Sequence, residues 1–482
     1  MENKLSNIER VPFIHLLSSP NGKYFFDVNR NEIVAINDKV YQALKSILNN
    51  EFDKISHDVE DEINRIKVMG YLSDHKVKEI EHPYHKHLEA NLERKLKRVC
   101  LQVTQNCNLR CAYCIYSDVN NSKQRSHTAK NMSFETAKQA VDFLLEHSVE
   151  SDSVNVGFYG GEPLLAFNLI KDIVIYAKEI FEGKDLSFNI TSNCTLLRDD
   201  IIEFFVKHDI HLMVSIDGPA EIHDESRRFV ADGSGSFAVI LEKLKSISTK
   251  YPDYVSKMSV SMVMNPQNDY ECINSIFVKY DIFKNIKNIN AVTIDDAYSI
   301  EKTTFTDDFI EKQKYLTFLA FLGYFGRLED VYISKIANQE ILSLVNKINR
   351  MNRRFELPKT TSPGGPCLPG GARLFVDIDG NFYPCERVSE TSDIMRIGSL
   401  SDGFDYNKVT ALLNVASTTS EVCRNCWAFS NCTLCAKQSD DNGTLSKELR
   451  LSHCNSVREA VHDDLLNMIM LQEYSQIYSY GS

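Results

Sequence analysis

Apolar and polar positions follow two different periods along the middle of this chain. Between Val99 and about residue 300, short apolar runs separate longer stretches in which apolar residues recur at helical spacing. The strand-like runs are Val99–Val103, Val154–Tyr159, Ser187–Ile190, Leu212–Ile216 and Lys257–Met264, and the helical stretches are 134–147, 164–182, 199–208 and 236–249. Such alternation is typical of βα repeats on a parallel sheet, where functional residues lie at the ends of the strands. The pattern predicts an α/β fold for this region.

The first 75 residues show a different pattern. Three short apolar runs, separated by turn residues, precede two stretches with helical spacing. The runs are Phe13–Leu17, Tyr24–Val28 and Glu32–Ile36. Asp38 is expected to cap the first helix and Gly70 to end the second. The pattern predicts a small α+β unit, and the polar residues after it predict a linker helix.

Composition narrows the class of protein. The chain has 482 residues, a net charge of −12 and 43% hydrophobic residues. It shows no apolar run of membrane-spanning length and no N-terminal signal-peptide pattern, so we expect a cytoplasmic protein without a membrane partner. The acidic balance argues against a nucleic-acid partner, because phosphate binding needs basic patches. In a reducing compartment, the 13 cysteines favour metal ligation over disulfides.

A cysteine triplet follows the first predicted strand of the α/β region. Cys107, Cys111 and Cys114 have the spacing Cx3Cx2C. Three thiolates leave one iron of a four-iron cluster open to a substrate or cofactor, whereas four cysteines close the cluster. Structural zinc is the alternative for such a triplet.

Polar and glycine residues follow the later strands. Gly160-Gly161-Glu162-Pro163 comes directly after Val154–Tyr159, and its glycines allow the backbone to approach a ligand closely while the carboxylate accepts from an ammonium group. The third strand leads to Asn193, and the fourth leads to Ser215 and Asp217. Arg227 is suited to pair with a carboxylate, and its neighbour Arg228 competes for that role.

Seven further cysteines lie between residues 367 and 454. They are Cys367, Cys385, Cys423, Cys426, Cys432, Cys435 and Cys454. Paired CxxC spacings also build zinc sites, which remain an alternative here. Seven thiolates, however, do not divide into two closed sets of four.

Taken together, these motifs resemble radical S-adenosylmethionine (SAM) enzymes that modify peptides. The Cx3Cx2C triplet with GGEP resembles the radical SAM core, the later cysteines resemble a SPASM extension, and the N-terminal pattern resembles a winged-helix element that recognises ribosomally made precursor peptides. The resemblance implies an α/β fold with a partial (β/α)6 barrel. It also implies these domains: recognition element 1–75, linker helix 76–98, barrel 99–300, helical bridge 301–365 and SPASM domain 366–482. A packing domain without a ligand is the alternative for the N-terminal unit.

The same resemblance assigns roles to residues. Cys107, Cys111 and Cys114 hold the radical SAM [4Fe-4S] cluster. The SAM contacts are Tyr113 near the adenine; Gly160, Gly161, Glu162 and Pro163 at the amine; Asn193; Ser215 and Asp217 near the ribose; and Arg227 at the carboxylate. Cys423, Cys426, Cys432 and Cys454 hold an outer auxiliary [4Fe-4S] cluster, and Cys367, Cys385 and Cys435 hold an inner one. Glu386 is either the base for the substrate or support for the inner cluster.

The inner set has three cysteines, because the segment from Pro369 to Pro384 contains no other. An open iron there could bind a substrate thiolate, unless Cys100, Cys194 or Cys272 supplies a fourth ligand. We expect these three to be buried thiols remote from both cysteine motifs.

The closest resemblance is to thioether-forming maturases of the sactipeptide and ranthipeptide type. It implies an enzyme that links a cysteine sulfur to a carbon in a precursor peptide, with SAM, three clusters, and a flavodoxin or ferredoxin as reductant. A carbon–carbon link, an epimer or a formylglycine product are alternatives within the same fold. An iron–sulfur electron carrier and a peptide-binding module are alternatives outside enzymology, although neither needs a SAM pocket.

Overall fold

The computed structural model describes residues 10–51, 55–117, 123–299 and 302–479. Its strands are β1 (Ile14–Ser18), β2 (Lys23–Asp27), β3 (Glu32–Ile36), β4 (Glu79–Ile80), β5 (Arg98–Thr104), β6 (Ser153–Gly160), β7 (Asp185–Ser192), β8 (Ile210–Ser215), β9 (Ser259–Met264), β10 (Asn288–Thr293), β11 (Thr360–Thr361), β12 (Leu374–Val376), β13 (Asn381–Tyr383), β14 (Gly398–Ser399) and β15 (Gly403–Phe404). Its α-helices are α1 (Asp38–Leu48), α2 (His57–Val68), α3 (Leu88–Arg94), α4 (Phe134–His147), α5 (Phe167–Ile180), α6 (Asp199–His208), α7 (Ala220–Ser226), α8 (Phe237–Lys250), α9 (Pro252–Val255), α10 (Tyr270–Asn274), α11 (Ile276–Lys279), α12 (Asp281–Lys284), α13 (Asp307–Tyr324), α14 (Lys335–Arg350), α15 (Tyr406–Leu413), α16 (Ser420–Cys423), α17 (Lys447–Ser452) and α18 (Cys454–Ser479).

The N-terminal unit is a three-stranded antiparallel sheet in the order β1-β2-β3, packed on α1 and α2. Phe25 of β2 is fully buried against the apolar stripe of α1, which includes Val40 and Leu44. The prediction that Asp38 caps α1 is wrong by one residue. The Asn37 side chain accepts from the Val40 N–H at 2.9 Å, and Asp38 is the first helical residue. Gly70 follows α2 with a φ of +88°, as expected for a helix stop.

The linker before the barrel is only partly helical, which differs from the prediction for residues 76–98. β4 pairs in parallel with β11, and α3 supplies the only α-helix among these residues. Leu88 and Leu92 of α3 are buried in the large core. Apolar contacts on one helical turn therefore fix this segment against the barrel.

A ten-stranded sheet lies at the centre of the large unit. Its order is β10-β9-β8-β7-β6-β5-β12-β13-β14-β15, and the strands from β5 to β10 are parallel. The five predicted strand positions are confirmed within a few residues. The sequence pattern missed β10 because its segment NINAVT carries exposed polar residues at alternate positions on an edge strand.

The C-terminal region continues the same sheet, which the sequence did not predict. β12 pairs in parallel with β5, with Leu374 opposite Val99 and Val376 opposite Leu101, and β13 to β15 extend it in antiparallel fashion. The segment after β13 is thereby held beside the strand that precedes the cysteine triplet. Among the described residues, no helix is both long and apolar enough to cross a membrane.

Candidate active site at the ends of the central strands

The cysteine triplet lies in the loop after β5, and its three thiols are neighbours. Burial is the main cause that raises the pKa of Cys107 and of Cys111 to about 12, and the Cys114 thiol raises both further. Cys107 also raises the pKa of Cys111. Buried thiols of this kind keep their protons until a metal replaces them.

GGEP packs directly against this loop. A Cβ on Gly160 would overlap the carbonyl oxygen of Thr104, and a Cβ on Gly161 would overlap that of Asn106. Gly160 also has a φ of +152°, which side chains rarely adopt. The two glycines thus let the end of β6 touch the backbone that leads into the triplet. Pro163 follows as the first residue of a short 3-10 helix.

Glu162 is buried, with both carboxylate oxygens hydrogen-bonded. Oε1 accepts from the Leu164 N–H at 3.0 Å and from the Ser192 hydroxyl at 2.8 Å, and Oε2 accepts from the Asn193 N–H at 2.7 Å. Burial raises the pKa of Glu162 to about 6 in spite of these donors. Its side chain therefore joins the ends of β6 and β7.

Asn193 links the end of β7 to the cysteine loop. Its Nδ2 donates to Asn108 Oδ1 at 2.9 Å, and Asn108 donates to the Thr195 hydroxyl at 2.8 Å. Cys194 has a φ of +61° and is fully buried, so it occupies a left-handed turn position without being accessible. The expected burial of Cys194 is confirmed, but Cys194 is not remote from the triplet site, because Glu162 raises and Arg227 lowers its pKa.

Asp217 and Arg227 form a buried two-point ion pair. Arg227 donates Nε to Asp217 Oδ2 at 2.7 Å and Nη2 to Oδ1 at 3.0 Å. Tyr113, from the triplet loop, donates its hydroxyl to Asp217 Oδ2 at 2.5 Å. Ser215 ends β8 two residues earlier. Arg227 lowers and Asp217 raises the pKa of Cys111, which places this pair beside the triplet.

Arg228, the competitor for the role of Arg227, lies outside this group. Its side chain is solvent-exposed and donates Nη1 to the carbonyl oxygen of Gly233 at 3.0 Å. Arg227 is therefore the arginine that lies within the site.

His223 is a site residue that the sequence analysis passed over. It is fully buried, its Nδ1 accepts from the Asp217 N–H at 3.2 Å, and its Nε2 lies 2.9 Å from the Ser236 hydroxyl. Since Nδ1 accepts, Nε2 carries the proton and donates to Ser236, whose hydroxyl donates to the Arg227 carbonyl at 3.0 Å. Burial, followed by the charge of Arg227, lowers the pKa of His223 to about 3, so it is neutral. A neutral histidine thus fixes the backbone on both sides of the ion pair.

The later cysteines fall into two groups of neighbours. In addition to burial, Cys435 raises the pKa of Cys367 and of Cys385, so these three thiols lie within electrostatic reach of one another. Cys423 raises the pKa of each thiol in a second group, which consists of Cys426, Cys432 and Cys454. These are the two sets that the resemblance implied.

Glu386 lies between the first of these groups and the barrel strands. Its side chain contacts Arg373 Nη1, and its Oε2 is buried without a hydrogen-bond partner among the described residues. Next to burial, Glu386 is the main group that raises the pKa of Cys100, Tyr159 and Cys385. Cys100 and Gln102 are two residues apart on β5, so their side chains point to the same face of the sheet. Tyr159 of β6 pairs with Gln102 and points to that face as well.

Cys100 and Cys272 differ from the expectation of buried, remote thiols. Cys100 is buried, but Cys385 and Glu386 both raise its pKa, because β12 pairs with β5 and brings the inner cysteines alongside. Cys272 is only half-buried and lies near Glu221. Cys100 is thus near the inner group.

The family comparison matches the barrel part of the chain. Residues 101–277 match the model of the radical SAM superfamily. An uncharacterized protein of Methanocaldococcus jannaschii is 34% identical over 315 residues, which are 65% of this chain and 91% of that protein. The chain belongs to the radical SAM superfamily.

Two further comparisons concern radical SAM proteins with named activities. A cysteine-type anaerobic sulfatase-maturating enzyme of Clostridium novyi is 24% identical, over 69% of this chain and 85% of that enzyme. A solved structure described as native anSMEcpe with bound AdoMet superposes with a TM-score of 0.56 at 18% identity, over 77% of this chain and 99% of that one. At this identity the structural likeness establishes the fold, an α/β radical SAM fold.

The three groups of cysteines in this radical SAM protein fit iron–sulfur clusters in their donor chemistry, because cysteine thiolates are the usual ligands of such clusters. A set of three thiolates, as in the triplet, leaves one iron of a four-iron cluster open.

A buried polar network beside the triplet was also missed. Glu390 accepts from Arg125 Nε at 2.6 Å, from Gln102 Nε2 at 2.7 Å and from the Tyr116 hydroxyl at 3.0 Å. Arg125 and Glu390 are 13% and 5% exposed. The network joins β5 and the triplet loop to the segment after Cys385, and no local spacing could reveal a contact between residues so far apart in sequence.

Proposed function

We propose that this radical SAM enzyme joins a cysteine sulfur to a carbon atom within a ribosomally made precursor peptide. The observation that supports this most is the position of Glu386. Its Oε2 has no hydrogen-bond partner among the described residues, and its carboxylate lies within electrostatic reach of Cys385, Cys100 and Tyr159. A substrate in the barrel would therefore meet the inner cysteines and a carboxylate together.

The proposal includes three [4Fe-4S] clusters and SAM. Cys107, Cys111 and Cys114 would hold the first, and the two C-terminal groups would hold the auxiliary clusters. When bound, SAM and the clusters supply the hydrogen-atom acceptor and the electron transfers of the reaction. A flavodoxin or ferredoxin is the proposed reductant.

The proposed SAM site uses the residues around the triplet. Gly160 and Gly161 would admit the amine end of SAM close to the backbone, with Glu162 and Pro163 shaping the turn. Asn193, Ser215, Tyr113 and Asp217 would surround the nucleoside. Arg227 already uses Nε and Nη2 on Asp217, so its Nη1 is the nitrogen that would face the SAM carboxylate.

The protein's own part in bond formation is assigned to Glu386. Joining sulfur to carbon removes two hydrogens, one from the carbon as a hydrogen atom and one from the thiol as a proton, and the one electron left over would pass to the auxiliary cluster that Cys367, Cys385 and Cys435 would hold. Glu386 would take the thiol proton, because its Oε2 has room for a donor. Arg373, bound to the other side of this carboxylate, orients it.

The N-terminal unit is proposed to recognise the leader of the precursor. Its sheet leaves β1 and β3 at the edges, where an extended peptide can add as a strand. The proposed domains are those of the sequence analysis, with the barrel over 99–300 and the SPASM domain over 366–482.

The test is the intact mass of a cysteine-containing peptide encoded beside the gene, after anaerobic incubation with reconstituted enzyme, SAM and reductant. We expect loss of two hydrogens per link, with one cysteine per link resistant to alkylation. The variant in which Cys107, Cys111 and Cys114 are all alanine should leave the mass unchanged. Mass loss with every cysteine still open to alkylation would overturn the thioether assignment and indicate a carbon–carbon link or another oxidation.

A further inference from the structure

Two neighbouring cavities follow helix α14, away from the site described above. The first, of about 740 Å³, lies between Asn31, the C-terminal half of α14 and the pair Ser430 and Asn431. The second, of about 480 Å³, lies between α14, β10 and α18. Both are lined by Gln339, Ser343 and Lys347 of α14, so they form one continuous depression, the α14 trough.

The first cavity contains buried polar atoms without partners. Asn31 is 8% exposed, and its Nδ2 donates to the Asn352 carbonyl at 3.4 Å, but its Oδ1 has no partner among the described residues. Asn431 Nδ2 is likewise buried and unpaired. Buried polar groups are nearly always hydrogen-bonded to protein, water or a ligand, and these two atoms have no protein partner among the described residues. One acceptor and one donor match the N–H and C=O groups of a peptide backbone.

The charge of this cavity differs from that of the whole chain. Lys347, Arg350 and Arg354 line it, and none of its described lining residues is acidic, whereas Glu340 and Asp464 line the second cavity and the whole chain has a net charge of −12. Lys347 pairs with Asp464, and Arg354 donates to backbone carbonyls, so these two cations are engaged. Arg350 forms no ion pair within the described part of the chain. Its charge favours an occupant that carries carboxylates.

The trough connects two sheet edges. Asn31 lies directly before β3, an edge strand of the N-terminal sheet. At the other end, Ile289 and Ala291 of β10 line the second cavity, and β10 is the edge strand of the barrel sheet. Edge strands present unpaired backbone groups to which an extended peptide can add.

We propose that the α14 trough holds an extended segment of the precursor peptide as it passes from the N-terminal unit to the barrel, with an acidic side chain of that segment in the first cavity. This inference rests on the proposed function, since it requires a peptide substrate. Asn31 and Asn431 bind the backbone of the segment, Arg350 binds a carboxylate, and the edge of β10 guides the chain toward the barrel.

Two pairs of variants on exposed α14 positions test the trough. Ser343→Trp fills the place where the two cavities meet, and Arg350→Glu reverses the free charge. Asn349→Trp and Asn349→Glu are the controls, since Asn349 is exposed on the same helix but lines neither cavity. The readouts are the Kd of the fluorescein-labelled precursor peptide by anisotropy, the KM for that peptide, and peptide-independent SAM cleavage.

We expect both trough variants to raise Kd and KM for the peptide at least tenfold, while the controls and the rate of SAM cleavage match the wild type. Equal peptide affinity in all four variants would overturn the trough, whatever product the enzyme makes. Weakened binding only in the trough variants, with no change in peptide mass even in the wild type, would support the trough and reject the proposed reaction. The two inferences therefore fail separately.

Discussion

At the level of single residues, two glycines allow the loop after β6 to lie against the loop after β5, which carries the cysteine triplet. Gly160 and Gly161 let the end of β6 touch the carbonyls of Thr104 and Asn106, directly before the triplet. Asp217 then gathers Tyr113 from the triplet loop and Arg227 from beyond β8. Close backbone contact and one shared carboxylate thus bring residues from distant strands to one place.

Replacing Gly161 tests this contact. Gly161→Ala should weaken SAM binding at least tenfold, because its Cβ would overlap the Asn106 carbonyl and displace the triplet loop. Gly183→Ala is the control, since its Cβ meets open space and its strained φ of +91° costs on the order of 1–2 kcal/mol without any clash. SAM affinity by equilibrium dialysis, together with iron content, is the measurement. Normal SAM affinity in Gly161→Ala would contradict the role given to this glycine.

Cys100 is the thiol that could close the proposed inner cluster. If Cys367, Cys385 and Cys435 are its only protein ligands, Cys100→Ala should leave the iron and sulfide content and the EPR signal of that cluster unchanged. Cys385→Ala is the positive control and should lose the signal. Loss of the signal in Cys100→Ala would make this thiol the fourth ligand, and the open iron would have to be abandoned.

The positions of some site residues could be predicted from the sequence, and the positions of others could not. The strand-end positions of the triplet, of GGEP and of Asp217 follow from local periodicity, whereas the division of the later cysteines into two sets came from the family resemblance and not from their spacing. The positions of Cys100 and Glu390 depend on the pairing of β5 with β12 and its neighbours. Those partners are more than 250 residues apart in sequence, beyond the reach of any periodic pattern.

At the level of secondary-structure elements, β1 of the N-terminal unit packs against Trp427, which follows Cys426, and against α18. The His15 ring stacks on Trp427 with centroids 3.5 Å apart, and its Nε2 lies 2.8 Å from His462 Nδ1. Tyr24 donates its hydroxyl to Glu473 at 2.6 Å. The N-terminal unit therefore covers part of Trp427, the residue that follows Cys426. These contacts hold the proposed recognition unit in a fixed position relative to the barrel.

This interface should make stability depend on pH. Burial, and then His462, lowers the pKa of His15 to about 4 from an ordinary value of 6.5. Because the unfolded chain binds this proton more readily, the folded state loses stability as the pH falls below 6.5, by on the order of 1 kcal/mol between pH 7.5 and pH 5.5. His15→Phe keeps a ring against Trp427 without a titrating group and should flatten this pH dependence.

Thermal unfolding of the wild type and of His15→Phe across that pH range is the measurement. His57→Phe is a suitable control, because His57 is an exposed histidine at the start of α2. An identical pH dependence in the wild type and His15→Phe would show that His15 is not the group responsible.

At the scale of the whole molecule, one continuous sheet joins the parts. Strands β5 to β10 carry the proposed SAM site, β12 and β13 lead to the inner cysteines, and the α14 trough runs from the N-terminal sheet to β10. Recognition, radical formation and bond formation would thus occur along a connected path. In the proposed reaction, the radical removes a hydrogen atom from a carbon of the peptide.

Deuterium transfer shows whether this hydrogen comes from the peptide. The precursor peptide, with all carbon-bound hydrogens replaced by deuterium, is incubated with the enzyme, SAM and reductant, and the released 5′-deoxyadenosine is analysed by mass spectrometry. We expect one deuterium in each 5′-deoxyadenosine released per link formed. Release of 5′-deoxyadenosine without deuterium, while the peptide mass stays unchanged, would contradict the account.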